Sequence, residues 1–146
     1  MLIRPAKTSD WGFIVSSFIN SFREESTHAE GLKGKTIAAL LTNLVSQGWN
    51  CTVAEFVASE DEPEGPGVIA GWVVSGPTSQ ALAWAYTRSM FRRQGLAKLL
   101  LQRVGIDMAK PVTSPFVPNR HKDRCPLKLR INHRPFLAVQ SADAQN

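Results

Sequence analysis

The stretch from Tyr86 to Leu100 places the strongest constraint on what this chain can fold into. Its first residues end an apolar segment typical of a β-strand, and its last residues open an amphipathic helix after a short basic turn. A helix N-terminus leaves about four backbone N–H groups without acceptors and carries about half a positive charge. Gly95 lets a ligand approach the backbone closely, and the guanidinium groups of Arg92 and Arg93 can bind phosphate oxygens. The stretch therefore predicts a cradle for a diphosphate.

Length and composition favour a soluble globular protein. The chain has 146 residues, 43% hydrophobic and 20% charged, which predicts a single domain over 1–146 with 141–146 as a frayed tail. Apolar runs such as 37–41 are far shorter than the about 20 residues that span a bilayer, so no membrane partner is expected. The N-terminus shows no signal-peptide pattern, which predicts a cytoplasmic location. Cys51 and Cys125 have no metal-site spacing, so we expect free thiols and no metal.

Positive charge is concentrated in one segment. Residues 88–134 hold twelve Lys and Arg against two Asp, a formal charge of +10 in a chain whose net charge is +5. This asymmetry indicates a polyanionic ligand or a nucleic-acid surface, and a solvated basic face is the simpler alternative. Nucleic acid is not the favoured partner, because the segment offers only Phe91 and Phe116 for base stacking, with Tyr86 and Phe136 just outside it.

Hydrophobic periodicity predicts an alternation of strands and helices. Strands are predicted at 2–6, 50–58, 68–75, 80–87 and 112–117, with a terminal hairpin of 126–131 and 136–140 turning at 132–135. Helices are predicted from Trp11, at 35–47 and at 94–109. The first has an apolar stripe of Trp11, Ile14, Val15, Phe18, Ile19 and Phe22, and the last is expected to turn Leu96, Leu99, Leu100 and Val104 inward.

Residues Arg92-Arg93-Gln94-Gly95-Leu96-Ala97 match the acetyl-CoA signature of the GNAT superfamily of N-acetyltransferases: Gln or Arg, two residues, Gly, one residue, then Gly or Ala. The segments Ile3–Ala6 and Asp10-Trp11 are also similar to that family's first strand and helix start. The chain resembles the family over 1 to about 112, whereas the later part is atypical and shortened. The resemblance implies an α/β, GNAT-like fold with a mixed, mostly antiparallel central sheet flanked by helices.

The resemblance also implies acetyl-CoA as cosubstrate and an amine, on a small molecule or a protein, as acceptor. The backbone amides of Arg92, Arg93, Gln94, Gly95, Leu96 and Ala97 would bind the pyrophosphate, and the strand end at Ala85, Tyr86 and Thr87 would pair with the pantetheine arm. An amide near Thr87 would polarise the thioester carbonyl. Arg88 and Lys98 could reach CoA phosphates, and a solvated role for Lys98 is equally favoured. A homodimer is left open.

The catalytic residues are less constrained. Related enzymes place a tyrosine acid after their fourth helix, but the one tyrosine here, Tyr86, precedes the cradle. The candidate acids are therefore Tyr86, Cys125, His121 and His133, with a packing role for Tyr86 as the alternative. Glu55 is the candidate base in the strands, and Glu24, Glu25 and Glu30 are further candidates that would also suit a cationic acceptor.

The predicted strand before the cradle, 80–87, contains no carboxylate that could act as a base, and this bears on which amine is acetylated. Deprotonating a lysine at pH 7 costs about 4.6 kcal/mol, whereas an α-amine costs about 1 kcal/mol. The sequence therefore favours an acceptor with a low pKa, attacked directly by acetyl transfer. The competing hypothesis is a degenerate, non-catalytic module that binds CoA or contacts nucleic acid through 88–134.

Overall fold

The computed structural model describes residues 1–25, 31–57 and 67–116 together with the backbone of 131–133. In chain order these residues form β1 (Leu2–Pro5), α1 (Trp11–Glu25), α2 (Gly34–Ser46), β2 (Asn50–Phe56), β3 (Val68–Ser75), β4 (Leu82–Thr87), α3 (Leu96–Arg103), β5 (Val112–Ser114) and β6 (Ile131–His133). Short 3-10 turns at Thr8–Asp10 and Ser89–Phe91 precede α1 and α3. No helix among these described residues is long and apolar enough to cross a membrane.

Strands β1 to β4 form an antiparallel sheet in the order β1-β2-β3-β4. Helices α1 and α2 cover one face, where Phe18, Leu41 and Trp72 are fully buried. Helix α3 covers the other face, where Leu100 packs with Val73. The predicted mostly antiparallel sheet flanked by helices is therefore confirmed.

Gly71 lies where β3 has no room for a side chain beside β4. A Cβ at this position would lie 2.6 Å from the Tyr86 carbonyl oxygen and 3.4 and 3.5 Å from the side chains of Leu96 and Leu100. The backbone carbonyl cannot yield to such a contact, so the position requires glycine. Leu96 and Leu100 of α3 pack over this bare stretch of backbone at ordinary van der Waals distances.

Two buried serines attach α1 to the sheet. Ser17 and Ser21 lie one turn apart on the apolar face of α1 and accept hydrogen bonds from the indole N–H groups of Trp72 (2.8 Å) and Trp84 (3.0 Å). Trp72 is fully buried, so its N–H could not be satisfied by water if this bond were lost. The serines therefore fix the position of α1 along β3 and β4, which apolar packing alone leaves less defined.

A charged cluster links β1 to its neighbours. The Arg4 guanidinium is bonded to Asp10 (2.7 Å) and Glu55 (2.9 Å), and Asp10 also accepts from the Lys7 amide. The hydrogen bond from Arg4 is the largest cause that lowers the pKa of Asp10 below its ordinary value.

Burial raises the pKa of the free thiol of Cys51 to about 12, so this thiol is protonated near neutral pH.

The predicted helix at 94–109 was too long at both ends. Gly95 has a left-handed φ of 76°, so α3 begins at Leu96, and Gly105 has a φ of 82° just after the helix ends at Arg103. The Ile106 and Gly105 amides donate to the carbonyls of Leu101 and Gln102, which is a Schellman cap. Because the helix stops here, the remaining residues to 109 are free to turn back towards the sheet.

Two further expectations were wrong. Leu99 is 41% exposed rather than turned inward. Leu96 and Leu100 occupy the buried side of α3, and Leu99 lies outside that buried stripe. The predicted turn at 132–135 is instead partly strand, since Ile131–His133 pairs in parallel with Val112–Ser114. A pairing of this kind depends on residues far away in the sequence, which the local turn signal does not contain. The other residues of the predicted hairpin lie outside the described residues.

We predict that Ser17→Ala lowers the free energy of unfolding by about 1–3 kcal/mol, because it leaves the buried Trp72 N–H without an acceptor. Ser16→Ala is the matched control, since Ser16 lies on the same helix and its hydroxyl bonds are exposed. Urea denaturation followed by tryptophan fluorescence measures both. Equal stability of the two variants would contradict the anchoring role of Ser17.

Candidate functional site

The turn before α3 presents a row of backbone N–H groups. Arg93 (φ 63°) and Gly95 (φ 76°) both adopt left-handed conformations, which reverse the chain between the 3-10 turn and the helix. The first α3 amide with an acceptor is that of Leu99, which donates to the Gly95 carbonyl at 3.0 Å. Within the described part of the chain, the six amides of 93–98 have no acceptor, whereas the Arg92 amide bonds to Ser89 at 3.3 Å. The arrangement suits an anionic ligand with several oxygens.

Space for such a ligand lies directly in front of Gly95. Apart from its two chain neighbours, none of the described residues would have a heavy atom within 4 Å of a Cβ at this position, and the side chains of Arg93 and Lys98 are exposed nearby in sequence. The Arg92 side chain turns back instead, with Nε donating to the Thr87 carbonyl at 3.1 Å. Arg92 therefore ties the turn to the end of β4.

Among the described residues, strand β4 is paired on one side only along its second half. A single parallel bridge joins Ala81 to Thr113, after which β4 and β5 belong to separate sheets. The Thr113 amide and hydroxyl both bond to the carbonyl oxygen of Gln80, at 2.7 and 3.2 Å. The two strands therefore meet at 80–81 and separate towards the turn that carries the free amides.

The register of β3 and β4 decides which backbone groups face this opening. The Arg88 amide donates to Ala70 of β3 at 2.8 Å, and bonded and non-bonded pairs alternate along an antiparallel ladder. The backbone of Tyr86 is therefore directed to β3, whereas the backbone groups of Ala85 and Thr87 are directed towards the opening. An extended, amide-containing chain could bond to them as an added strand.

The catalytic candidates are placed apart from one another. The half-buried ring of Tyr86 stacks on Trp72 (centroids 5.9 Å apart) and meets Phe13 edge-on (6.0 Å), on the α1 face of the sheet. Glu55 lies on β2, two strands away from β4, in an ion pair with Arg4. Glu24 is exposed at the end of α1. Cys125, His121 and Glu30 lie outside the described residues, and only the backbone of His133 is described.

Sequence reasoning missed Gln80, which holds the base of the opening. Its side-chain amide bonds to both backbone groups of Asp107, accepting from N–H at 2.6 Å and donating to the carbonyl at 2.8 Å. Gln80 also has a left-handed φ of 61°, which turns its own carbonyl towards β5. The only local signal is the turn composition of Gly76-Pro77-Thr78-Ser79, which predicts a turn and says nothing about this cross-link.

Comparison with known proteins identifies the fold. No protein-family model and no curated protein sequence matches this chain. A possible acetyltransferase from Clostridium difficile 630 superimposes with a TM-score of 0.53 at 12% identity, over 99% of this chain and 86% of that one. A second structure, described as a probable acetyltransferase, gives 0.52 at 13% identity, over 100% of this chain and 88% of that one. The chain therefore shares the fold of these two structures.

A third similar structure is yncA of Salmonella typhimurium, an acetyltransferase by assignment, solved with its cofactor acetyl-CoA. It matches with a TM-score of 0.49 and 18% identity over 71% of this chain, and this chain spans 60% of its length.

We predict that Gln80→Ala lowers the free energy of unfolding by about 1–2 kcal/mol, because both bonds to the Asp107 backbone are lost. Gln80→Gly loses the same bonds but relieves the left-handed φ, so it should be the less damaging of the two. Urea denaturation measures both against Gln102→Ala, an exposed glutamine on α3. The cross-link would be unimportant if Gln80→Ala were as stable as this control.

Proposed function

We propose that this protein is an acetyl-CoA-dependent N-acetyltransferase. The observation that carries the proposal is the row of six backbone amides at 93–98, which lies beside an opening at the edge of β4 in a GNAT-like fold. A diphosphate would suit the row of amides, and a peptide-like arm joined to the diphosphate would suit the opening beside β4. Acetyl-CoA has that composition.

In this proposal the pyrophosphate binds at the amides around Gly95, with Arg93 and Lys98 as exposed cations beside it. The pantetheine arm runs along Ala85 and Thr87 as an added strand and brings the thioester towards the base of the opening. Strand residues advance about 3.3 Å each, so an arm that starts near Thr87 reaches the level of Trp84 within about 10 Å.

The chemistry we propose is direct transfer. The amine nitrogen forms a bond to the thioester carbonyl carbon with its lone pair, and the carbon–sulfur bond breaks with its electron pair on sulfur. The proton lost by the amine balances the charge of the departing thiolate. The chain contributes mainly by holding both reactants in position, which can be worth about 7–11 kcal/mol. Because the arm carries the thioester away from Thr87, the Ala85 amide, which faces the opening, would stabilise the developing oxyanion.

The proton carriers remain predictions. Tyr86 is the candidate acid that lies on β4 beside the opening, and substitution of Tyr86, Cys125 and the candidate base Glu55 would test their roles. The proposal includes a cytosolic location, where a free thiol such as that of Cys51 stays reduced.

Cofactor binding is tested with two matched glycines. Gly95 and Gly105 both have left-handed φ and no heavy atom within 4 Å of an added Cβ. We expect Gly95→Ala and Gly105→Ala each to lose about 1–2 kcal/mol of stability from backbone strain. Only Gly95→Ala should also weaken acetyl-CoA binding, because its methyl group enters the space of the ligand.

Thermal unfolding with and without acetyl-CoA measures both effects. At a hundred times the dissociation constant, the ligand adds about 2.7 kcal/mol to stability, a shift of several degrees. No shift in the wild type would overturn the proposal. A shift with an oligonucleotide in place of acetyl-CoA would favour the non-catalytic, nucleic-acid-binding alternative.

A second experiment tests the acceptor amine. We expect peptides with a free α-amine to be acetylated faster near pH 7 than the same peptides with that amine blocked and a lysine side chain available, because the α-amine is more easily deprotonated. Release of the CoA thiol measures the rate. Faster acetylation of the lysine peptides would contradict the expected preference, and no thiol release with any amine would leave acetyl-CoA binding without catalysis.

A further inference from the structure

Arg88 is held in one orientation by the residues around it. Its Nε donates to the Ile69 carbonyl at 3.0 Å, and its Cζ lies 4.5 Å from the centre of the Phe13 ring, within the range of a cation–π contact. Its backbone amide is bonded to Ala70. A long side chain restrained at two points, on a backbone that is itself hydrogen-bonded, costs less entropy to use for binding than a free one.

The Arg88 guanidinium lies on the α1 face of the sheet. Phe13, which it covers, belongs to α1, and the same ring contacts Tyr86. Helix α3 packs on the opposite face. Arg88, Phe13 and Tyr86 are all half-buried, so they form a partly open cluster next to the second half of β4. In the sequence Arg88 is close enough to the basic turn to reach CoA phosphates, and in the structure its side chain contacts Ile69 and Phe13.

Arg88 has unused donors in this cluster. The carboxylates of Asp10 and Glu55 are both bonded to Arg4. Among the residues that the structure describes, no acceptor bonds to Nη1 or Nη2 of Arg88 and no carboxylate forms an ion pair with it. A guanidinium of this kind presents a planar pair of N–H groups that matches a carboxylate.

We propose that Arg88 binds a carboxylate of the acceptor, so that the substrate is a small amine with a free carboxylate, such as a short peptide with free ends. The inference rests on the proposed function. The acceptor must approach the thioester from the face opposite α3, because Leu82, Leu101 and Val112 close the α3 face beside β4. Arg88 lies on that approach, three residues beyond Ala85, and it would repel a cationic substrate.

Arg88 thereby becomes a specificity-determining residue. The strand rise puts it about 10 Å along β4 from Ala85, and its side chain reaches back over Phe13. An amine at the opening and a carboxylate at Arg88 would therefore be separated by several bonds, which suits a dipeptide or tripeptide. The exposed Glu24 at the far end of α1 does not interfere with this contact.

The test compares dipeptides and tripeptides with their C-terminal amides, because amidation removes the carboxylate and leaves the amine almost unchanged. For the wild type we expect kcat/KM to be at least tenfold higher for the free carboxylates. In Arg88→Met this ratio should fall close to one, and Arg88→Lys should keep only part of it, since lysine lacks the planar fork. Arg103→Met, an exposed arginine on α3, is the control and should keep the wild-type ratio.

The ratio is read within each variant, so a general loss of stability cannot imitate the effect. Acetyl-CoA binding is measured on the same proteins and should be unchanged in Arg88→Met. Equal rates for carboxylates and amides in the wild type would overturn this inference alone. A loss of acetyl-CoA binding in Arg88→Met would assign the residue to the cosubstrate instead. No transfer to any amine would overturn the inference together with the proposed activity.

Discussion

The architecture of the candidate site depends on the cross-link that Gln80 makes between the start of β4 and the chain around Asp107 and Thr113. This cross-link and the adjacent bridge join β4 to β5 at one end only. Because the pairing between β4 and β5 stops after the bridge at Ala81, the second half of β4 has an edge that no strand in the described part of the chain pairs with. A fully paired β5 would occupy the backbone groups of Ala85 and Thr87 that now face the opening.

The sheet divides the site into two faces with different chemistry. On one face, Leu96 and Leu100 of α3 pack over Gly71, and the bond from Arg92 to the Thr87 carbonyl holds the turn before α3 beside the end of β4. On the other face, Ser17 and Ser21 fix α1 against two tryptophans and so place Phe13 next to Tyr86 and Arg88. One face thus suits a diphosphate, and the other suits a substrate with an anionic group.

Local signals in the sequence predicted the elements well where few long-range contacts were involved. The alternating and 3.6-residue patterns located the first four strands and two helices to within a few residues, and the turn around Gly95 was identified before any fold was known. Errors arose where the backbone conformation of one residue decides a boundary, as at Gly95 and Gly105 for α3. They also arose at Ile131–His133, whose strand pairing involves a partner about 19 residues away.

The sequence by itself determined the order of elements and the basic, glycine-containing turn, because hydrophobic period, turn composition and charge are local properties. The tertiary structure decided which side chains share a face. Arg88 is next to the cradle in sequence but contacts α1, since strand side chains alternate between faces and Phe13 provides a ring for its guanidinium. Glu55 is an isolated carboxylate in the sequence and an ion-pair partner of Arg4 in the fold, because antiparallel pairing brings β1 beside β2.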